Sequence, residues 1–195
     1  YMLIGFSQHE RIELMAMEVA KSRGHSVERF EIKPTMGNLV LWRSIYEADG
    51  RFYIDAFRAG LGDGKVYQGE SIKRFEASDL PQLDENSTLA KDIKRFDFFS
   101  DGYIALQGGV EVADGKPLIG DIRYSMLPTS AQPIWGIELD LEDQQKHTPF
   151  NQFHDASNAT RQAFIDMLLG EDIRIVKEGP SFAPQARVDS SDKHI

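Results

Sequence analysis

No cysteine occurs anywhere in the 195 residues. Its absence excludes disulfides, thiolate zinc sites, iron–sulfur clusters and cysteine nucleophiles. Long apolar runs are missing too. The longest fall far short of the ~18 residues that cross a bilayer, so these residues alone do not span one. Basic residues are in the minority: Lys and Arg number 22 against 31 Asp and Glu, for a net charge of −9. A nucleic-acid binder needs a basic face. The densest basic stretches, Lys91 to Arg95 and Lys73–Arg74, are interrupted or flanked by acids. No nucleic-acid partner is expected, and a basic helix lying on lipid has little support. Walker, GxSxG and GxGxxG patterns are all lacking. Gly60-Leu61-Gly62-Asp63-Gly64 reads as a connection rather than a phosphate cradle, because no helical pattern opens directly after it.

What is present is ordinary globular composition, 41% apolar and 27% charged. The length suits one domain with a real core, burying roughly 70% of the unfolded chain's surface. The chain opens on Tyr1 rather than Met, which reads as a processed chain or a piece of a longer one. Tyr1 to Phe6 is a short apolar stub, which reads either as a packed N-terminal turn or as the cut end of a transmembrane helix that continues into a soluble one. Ile12, Met15, Ala16 and Val19 then form one helical stripe. Gly24 follows as a C′ residue, so a helix is expected from about residue 2 to 23. Strands are expected at 27–35, 38–47 and 51–58. Asp49-Gly50 is a two-residue hairpin signal. It predicts that Tyr46 faces Tyr53, Ser44 faces Asp55 and Trp42 faces Phe57. On the other side it pairs Ile45 with Ile54, Arg43 with Ala56 and Leu41 with Arg58. Both sides are then mixed, which predicts a sheet covered on both faces. Short strands are expected at 65–68, 71–75 and 110–112, with longer ones at 118–125 and 134–141. A second Asp-Gly turn lies at Asp114-Gly115. Helices are expected at about 88–99, capped by Ser87, and at 158–169, capped by Ser157 and closed by Gly170. These elements predict an α+β fold: one mainly antiparallel sheet of about five to seven strands with about three flanking helices. The predicted organisation is a membrane-proximal helical stem over 1–23, a single domain over 24–176 and a polar tail over 177–195.

The chemistry-bearing residues are few. His9 and Glu13 are spaced i, i+4, without the second histidine that a zinc helix would need. His147 and His154-Asp155 flank a Pro-containing loop, and His25 and His194 stand alone. No metal ligand is assigned, and the catalytic residues stay open. A set of charged residues inside predicted strands stands out: Arg43, Asp55, Arg58, Asp121 and Arg123. Such residues either tie strands together as buried ion pairs or line a polar pocket, with Arg holding an anionic group and Asp orienting it. The same five are therefore the candidate site for a small anionic ligand. Trp42, Tyr46, Tyr53 and Trp135 read as core.

Several segments carry a family resemblance. They are Gly24-His25, Lys33-Pro34-Thr35-Met36-Gly37-Asn38-Leu39-Val40-Leu41-Trp42-Arg43-Ser44-Ile45-Tyr46-Glu47 and Asp49-Gly50-Arg51-Phe52-Tyr53-Ile54-Asp55-Ala56. Others are Ala90-Lys91-Asp92-Ile93-Lys94-Arg95-Phe96, Phe99-Ser100-Asp101-Gly102-Tyr103, Ile119-Gly120-Asp121-Ile122-Arg123-Tyr124-Ser125-Met126-Leu127-Pro128 and Pro133-Ile134-Trp135-Gly136-Ile137. Together they resemble the C-terminal region of the bacterial inner-membrane family of membrane-bound metal-dependent hydrolases. Ser7-Gln8-His9-Glu10-Arg11 fits the stretch just past the last transmembrane helix. The resemblance covers residues 5 to about 170. It implies a soluble C-terminal domain attached to an N-terminal transmembrane region, which would be its partner in the bacterial inner membrane. The family's His-Arg-Gly-x-Thr-His-Ser type motif has no counterpart here. A divalent metal, if the full-length protein uses one, is thus expected in the membrane part, and no cofactor is expected in these residues. Three functions remain open: an accessory domain of such a hydrolase, a ligand-binding or interaction module, and an independent enzyme.

Overall fold

The computed structural model describes residues 2–35, 37–59, 64–108, 116–153 and 157–173, with side chains from residue 8 onward. The expected strand at 110–112, the Asp114-Gly115 turn, most of the Gly60–Gly64 loop, His154-Asp155, His194 and the tail 177–195 lie outside the described residues.

The chain opens with helix α1, Met2–Ser22. Four strands follow: β1 Arg29–Pro34, β2 Leu41–Ala48, β3 Arg51–Arg58 and β4 Lys65–Lys73. They pair in sequence order as one antiparallel sheet. A 3-10 turn, Ala77–Asp79, leads to helix α2, Thr88–Phe99. Strands β5 Ile104–Gln107, β6 Leu118–Asp121, β7 Trp135–Glu138 and β8 Phe150–Gln152 make a second antiparallel sheet in the same nearest-neighbour order. Helix α3, Asn158–Leu169, is the last described element.

The β2–β3 hairpin has the register that Asp49-Gly50 predicts, at all six expected pairs. Asp49 and Gly50 have φ of 52° and 67°, the left-handed pair of a type I′ turn, whose twist matches the strands it joins. Ser87 and Ser157 cap α2 and α3 through side-chain oxygens that accept from the amides of Ala90 and Thr160.

The α+β class holds, but the single sheet of five to seven strands does not: the described residues form eight strands in two sheets. Two pieces expected near β4 are one strand with a register shift opposite Tyr53/Asp55, where Gly69 and Glu70 leave the ladder. After β4 the ladder ends and the 3-10 turn and α2 intervene. The amide of Phe75 reaches the carbonyl of Ile104 at 3.0 Å, yet no ladder forms there. The second sheet then grows from strands of three or four residues. The expected strand at 118–125 ends at Asp121, where the Asp121 side chain accepts from the Arg123 amide and turns the chain.

Both faces of the first sheet are covered, as its mixed patterning predicts. On one face α1 buries Ile12 and Ala16 against Ile32, Trp42, Phe57 and Ala59, and Ala20 against Tyr46 and Ala48. On the other, Ile45, Phe52 and Ile54 meet Tyr103, Ala105, Ile122 and Ala131, while Leu41, Ala56 and Tyr67 meet Met167 of α3. Helix α2 closes the second sheet, setting Leu89, Ile93 and Phe96 on Ile104, Ile119, Ile137 and Leu139. Small residues at 16 and 20 let the α1 backbone lie close to the sheet. Each fully buried large side chain removes enough apolar surface to contribute about 2 kcal/mol.

Candidate functional site

The end of α1 builds a polar cluster against the first sheet. Gly24 has φ 76°, the amide of His25 reaches the carbonyl of Ala20 at 3.1 Å, and the amide of Gly24 reaches that of Lys21 at 2.9 Å. This is a Schellman closure, and it holds Arg23 and His25 at fixed positions beside the sheet. Arg23 donates from Nη1 to Asp55 Oδ2 at 2.7 Å and from Nη2 to Asp55 Oδ1 at 2.9 Å. Asp55 is buried, and its Oδ1 also accepts from the amide of Gly69 at 3.1 Å. Arg23 Nη1 donates in addition to the Tyr46 hydroxyl at 3.1 Å, and His25 Nδ1 lies 2.8 Å from that hydroxyl. The imidazole sits 4.2 Å from the Tyr53 ring, which stacks on Tyr46 at 5.1 Å.

Two groups of this cluster are pushed further from titration near neutral pH. The hydrogen bonds to Asp55 push the Arg23 guanidinium further up, against the opposing effect of burial. Desolvation raises the Tyr46 hydroxyl, although Arg23 pulls the other way. Tyr46 is thus a neutral hydrogen-bond relay and no nucleophile at neutral pH. Beside the cluster lies a cavity of about 140 Å³ lined by Arg23, Tyr53, Gln68, Gly69, Glu70 and Ser71. That is room for a few water-sized groups. A cation and a carboxylate both line it, so it suits a small molecule carrying both donors and acceptors.

The five predicted residues do not converge on one pocket. Asp55 faces α1 and pairs with Arg23. Arg43 faces the other way and is 6% exposed. Its Nη1 donates to the Pro128 carbonyl at 2.6 Å and its Nη2 to the Ile122 carbonyl at 2.7 Å, pinning the 122–128 segment to the first sheet. Desolvation pushes this guanidinium down to about 9, with Glu70, Asp121 and Glu31 opposing at a distance. Arg58 donates from Nε to the Leu168 carbonyl at 2.9 Å, at the end of α3. Asp121 and Arg123 do meet. Arg123 Nη2 lies 2.7 Å from Asp121 Oδ2, which also accepts from Trp135 Nε1 at 3.1 Å. Arg123 reaches on to the Phe99 carbonyl at 3.0 Å. Its bond to Asp121 raises the guanidinium above its ordinary range.

The histidines divide similarly. His9 lies 3.9 Å from Glu13 and edges onto Trp42. His147 Nδ1 is 3.0 Å from the buried carboxylate of Asp92. Among the described residues no three His, Asp or Glu side chains come together for a metal, and no helix is long and apolar enough to cross a membrane. Sequence reasoning missed Arg23 and His25 as site residues. The available signal was Asp55 itself: a carboxylate in an aromatic, buried row needs a cation.

No family model, curated protein or solved structure matches this chain.

Proposed function

We propose that this chain is an accessory domain of a membrane-bound metal-dependent hydrolase of the bacterial inner membrane, oriented by α1 and contributing no metal ligand. The observation that supports it is the docking of α1. Ile12, Ala16 and Ala20 repeat every fourth residue and are fully buried on the first sheet. Arg23 and Asp55 lock the end of the same helix. The helix is thereby fixed to the domain, and whatever precedes it would be held at a set orientation. The charged strand residues fit this reading, since each is bonded inward to a carbonyl or to its own counter-ion and holds the scaffold together. The chemistry would then belong to the membrane part, where a divalent metal would sit.

The test compares three chains: the membrane part with this domain, the membrane part lacking residues 24–176, and residues 1–195 alone. Metal-dependent hydrolysis is expected from the first, at an altered rate or substrate range from the second, and not from the third. Hydrolysis by residues 1–195 alone, or identical rates and substrate ranges with and without the domain, overturns the reading.

The cavity beside Arg23 supports a second reading, a binding module for a small polar or anionic molecule. Titration with such compounds against the wild type and Tyr53→Ala, followed by calorimetry, distinguishes the two. Saturable binding lost in the variant favours the module.

A further inference from the structure

The fold sorts the charges of α2 in a way the linear sequence does not display. Asp92 turns inward and is buried, where it accepts from the Thr148 amide at 3.0 Å and faces His147. The outward face, at i, i+3, i+4, i+7 and i+8 from Lys91, carries Lys91, Lys94, Arg95, Phe98 and Phe99, all exposed. No acid stands on that face. Asp97 is half-buried beside it, Asp101 lies just past the helix, and Arg95 Nη1 keeps a contact with Asp92 at 3.4 Å. Phe98 is 89% exposed and Phe99 60%. The ridge continues into the second sheet. Phe99 meets Phe150 edge-on at 6.5 Å, and Phe150, itself half exposed, adjoins Trp135 at 6.5 Å. A chain of net charge −9 thus presents three cations and three phenylalanine rings together on one surface.

We propose that this surface docks on an anionic lipid bilayer, with Lys91, Lys94 and Arg95 at the phosphates and Phe98, Phe99 and Phe150 in the interfacial layer. Charge complementarity selects the occupant. Each cation near an anionic surface strengthens binding by about fivefold, and each aromatic ring moved out of water by about tenfold. Nucleic acid is the poorer fit, because its affinity is carried by phosphate contacts, and this face offers three cations on a chain of net charge −9. The proposal needs no membrane-spanning segment and does not depend on the hydrolase reading.

The test is co-sedimentation of residues 1–195 with vesicles of phosphatidylcholine alone and with a minority of phosphatidylglycerol. Binding is expected only to the anionic vesicles and is expected to weaken in high salt. Lys91→Glu with Lys94→Glu, and separately Phe98→Ser, should each lower the partition coefficient by about tenfold or more. All three side chains are exposed, so circular dichroism and the thermal midpoint should match the wild type. Leu14→Ser, on the exposed face of α1, should bind like the wild type. Several outcomes overturn the proposal. One is no binding, or equal binding to neutral vesicles. Another is binding untouched by the α2 variants, which would assign the contact to the α1 end. A third is a dimer without lipid, or capture of a labelled single-stranded oligonucleotide, that is abolished by Phe98→Ser.

Discussion

Arg23 and Asp55, 32 residues apart, form a two-pronged ion pair at 2.7 and 2.9 Å that closes the end of α1 onto the centre of the first sheet. The carboxylate is buried and the guanidinium half-buried, so neither gains much from water. Removing the cation leaves a buried charge. Arg23→Met is expected to destabilise the fold by about 3 kcal/mol. A subsequent Asp55→Asn, which keeps an acceptor for the Gly69 amide, should restore at least half of that loss. Urea unfolding of the two variants reads both numbers. A further loss on adding Asp55→Asn would show that the pair is not the source of the stability.

Asp79 gives the acid side of the stability profile. Desolvation pushes its carboxyl up, but the hydrogen bonds from Lys73 and from the Glu76 amide outweigh it and hold the group below its ordinary 3.8. The folded state then binds fewer protons than the unfolded chain. Its contribution is present above the unfolded pKa and lost as pH falls through the lowered one. Asp79→Asn should reduce stability at neutral pH and flatten the decline below about pH 4, measured by thermal unfolding across pH. A variant whose acid limb is unchanged would place that decline on other carboxylates.

Much of the first sheet was legible in the sequence because one turn fixes it. Asp49-Gly50 admits a single hairpin geometry, and six cross-strand pairs follow from counting outward. The second sheet offers less, since its own Asp-Gly signal, Asp114-Gly115, lies outside the described residues. Its strands are three or four residues long, and Ile104–Gln107 and Phe150–Gln152 are too short to show a period. The break into two sheets depends on where β4 stops pairing, which is a tertiary matter. The site was legible by halves. Asp55 was visible as an anomaly in an aromatic row, and Gly24 as the helix stop. That Arg23 should be the partner follows only once the Schellman closure and the crossing of α1 over β3 are both set. The sorting of Asp92 away from Lys91, Lys94 and Arg95 was hidden for the same reason. Composition counts charges, whereas the 100° step of a helix decides which of them share a face.

The described docking contacts of α1 start at His9, which edges onto Trp42, and run through Ala20. Deleting residues 1–6 is therefore expected to leave the thermal midpoint of a monomeric sample within about 2 °C of the parent, since none of these contacts is removed. A fall of many degrees would mean that the apolar stub belongs to the domain's own core, and the stem reading would fail.

Gly24 and Gly69 should respond very differently to the same substitution, and the difference tests how the two sheets are joined. At Gly24 the conformation is left-handed, but an added Cβ meets nothing within 4 Å. Gly24→Ala costs only the backbone penalty, about 1–2 kcal/mol, and should loosen Arg23 and His25 without unfolding the domain. At Gly69 an added Cβ would lie 2.4 Å from the Ile54 carbonyl oxygen, 2.4 Å from that of Thr129 and 2.9 Å from Thr129 Cα. The obstacles are backbone on two sides, β3 within the sheet and the 127–131 segment above it, so neither yields as a side chain would. The neighbouring Glu70 fixes that segment further. Its carboxylate accepts from the Ala131 amide at 2.7 Å, and its own amide reaches the Thr129 carbonyl at 2.9 Å. To admit a methyl group, the segment held by Glu70 and Arg43 must lift from the sheet, leaving the Arg43 guanidinium short of its carbonyl partners. Gly69→Ala should therefore cost well over the 1–3 kcal/mol typical of overpacking, and limited proteolysis should cut first within 122–131. If Gly69→Ala instead unfolds at the same urea concentration as the parent chain, the close crossing at Gly69 is not what holds the 127–131 segment to the first sheet.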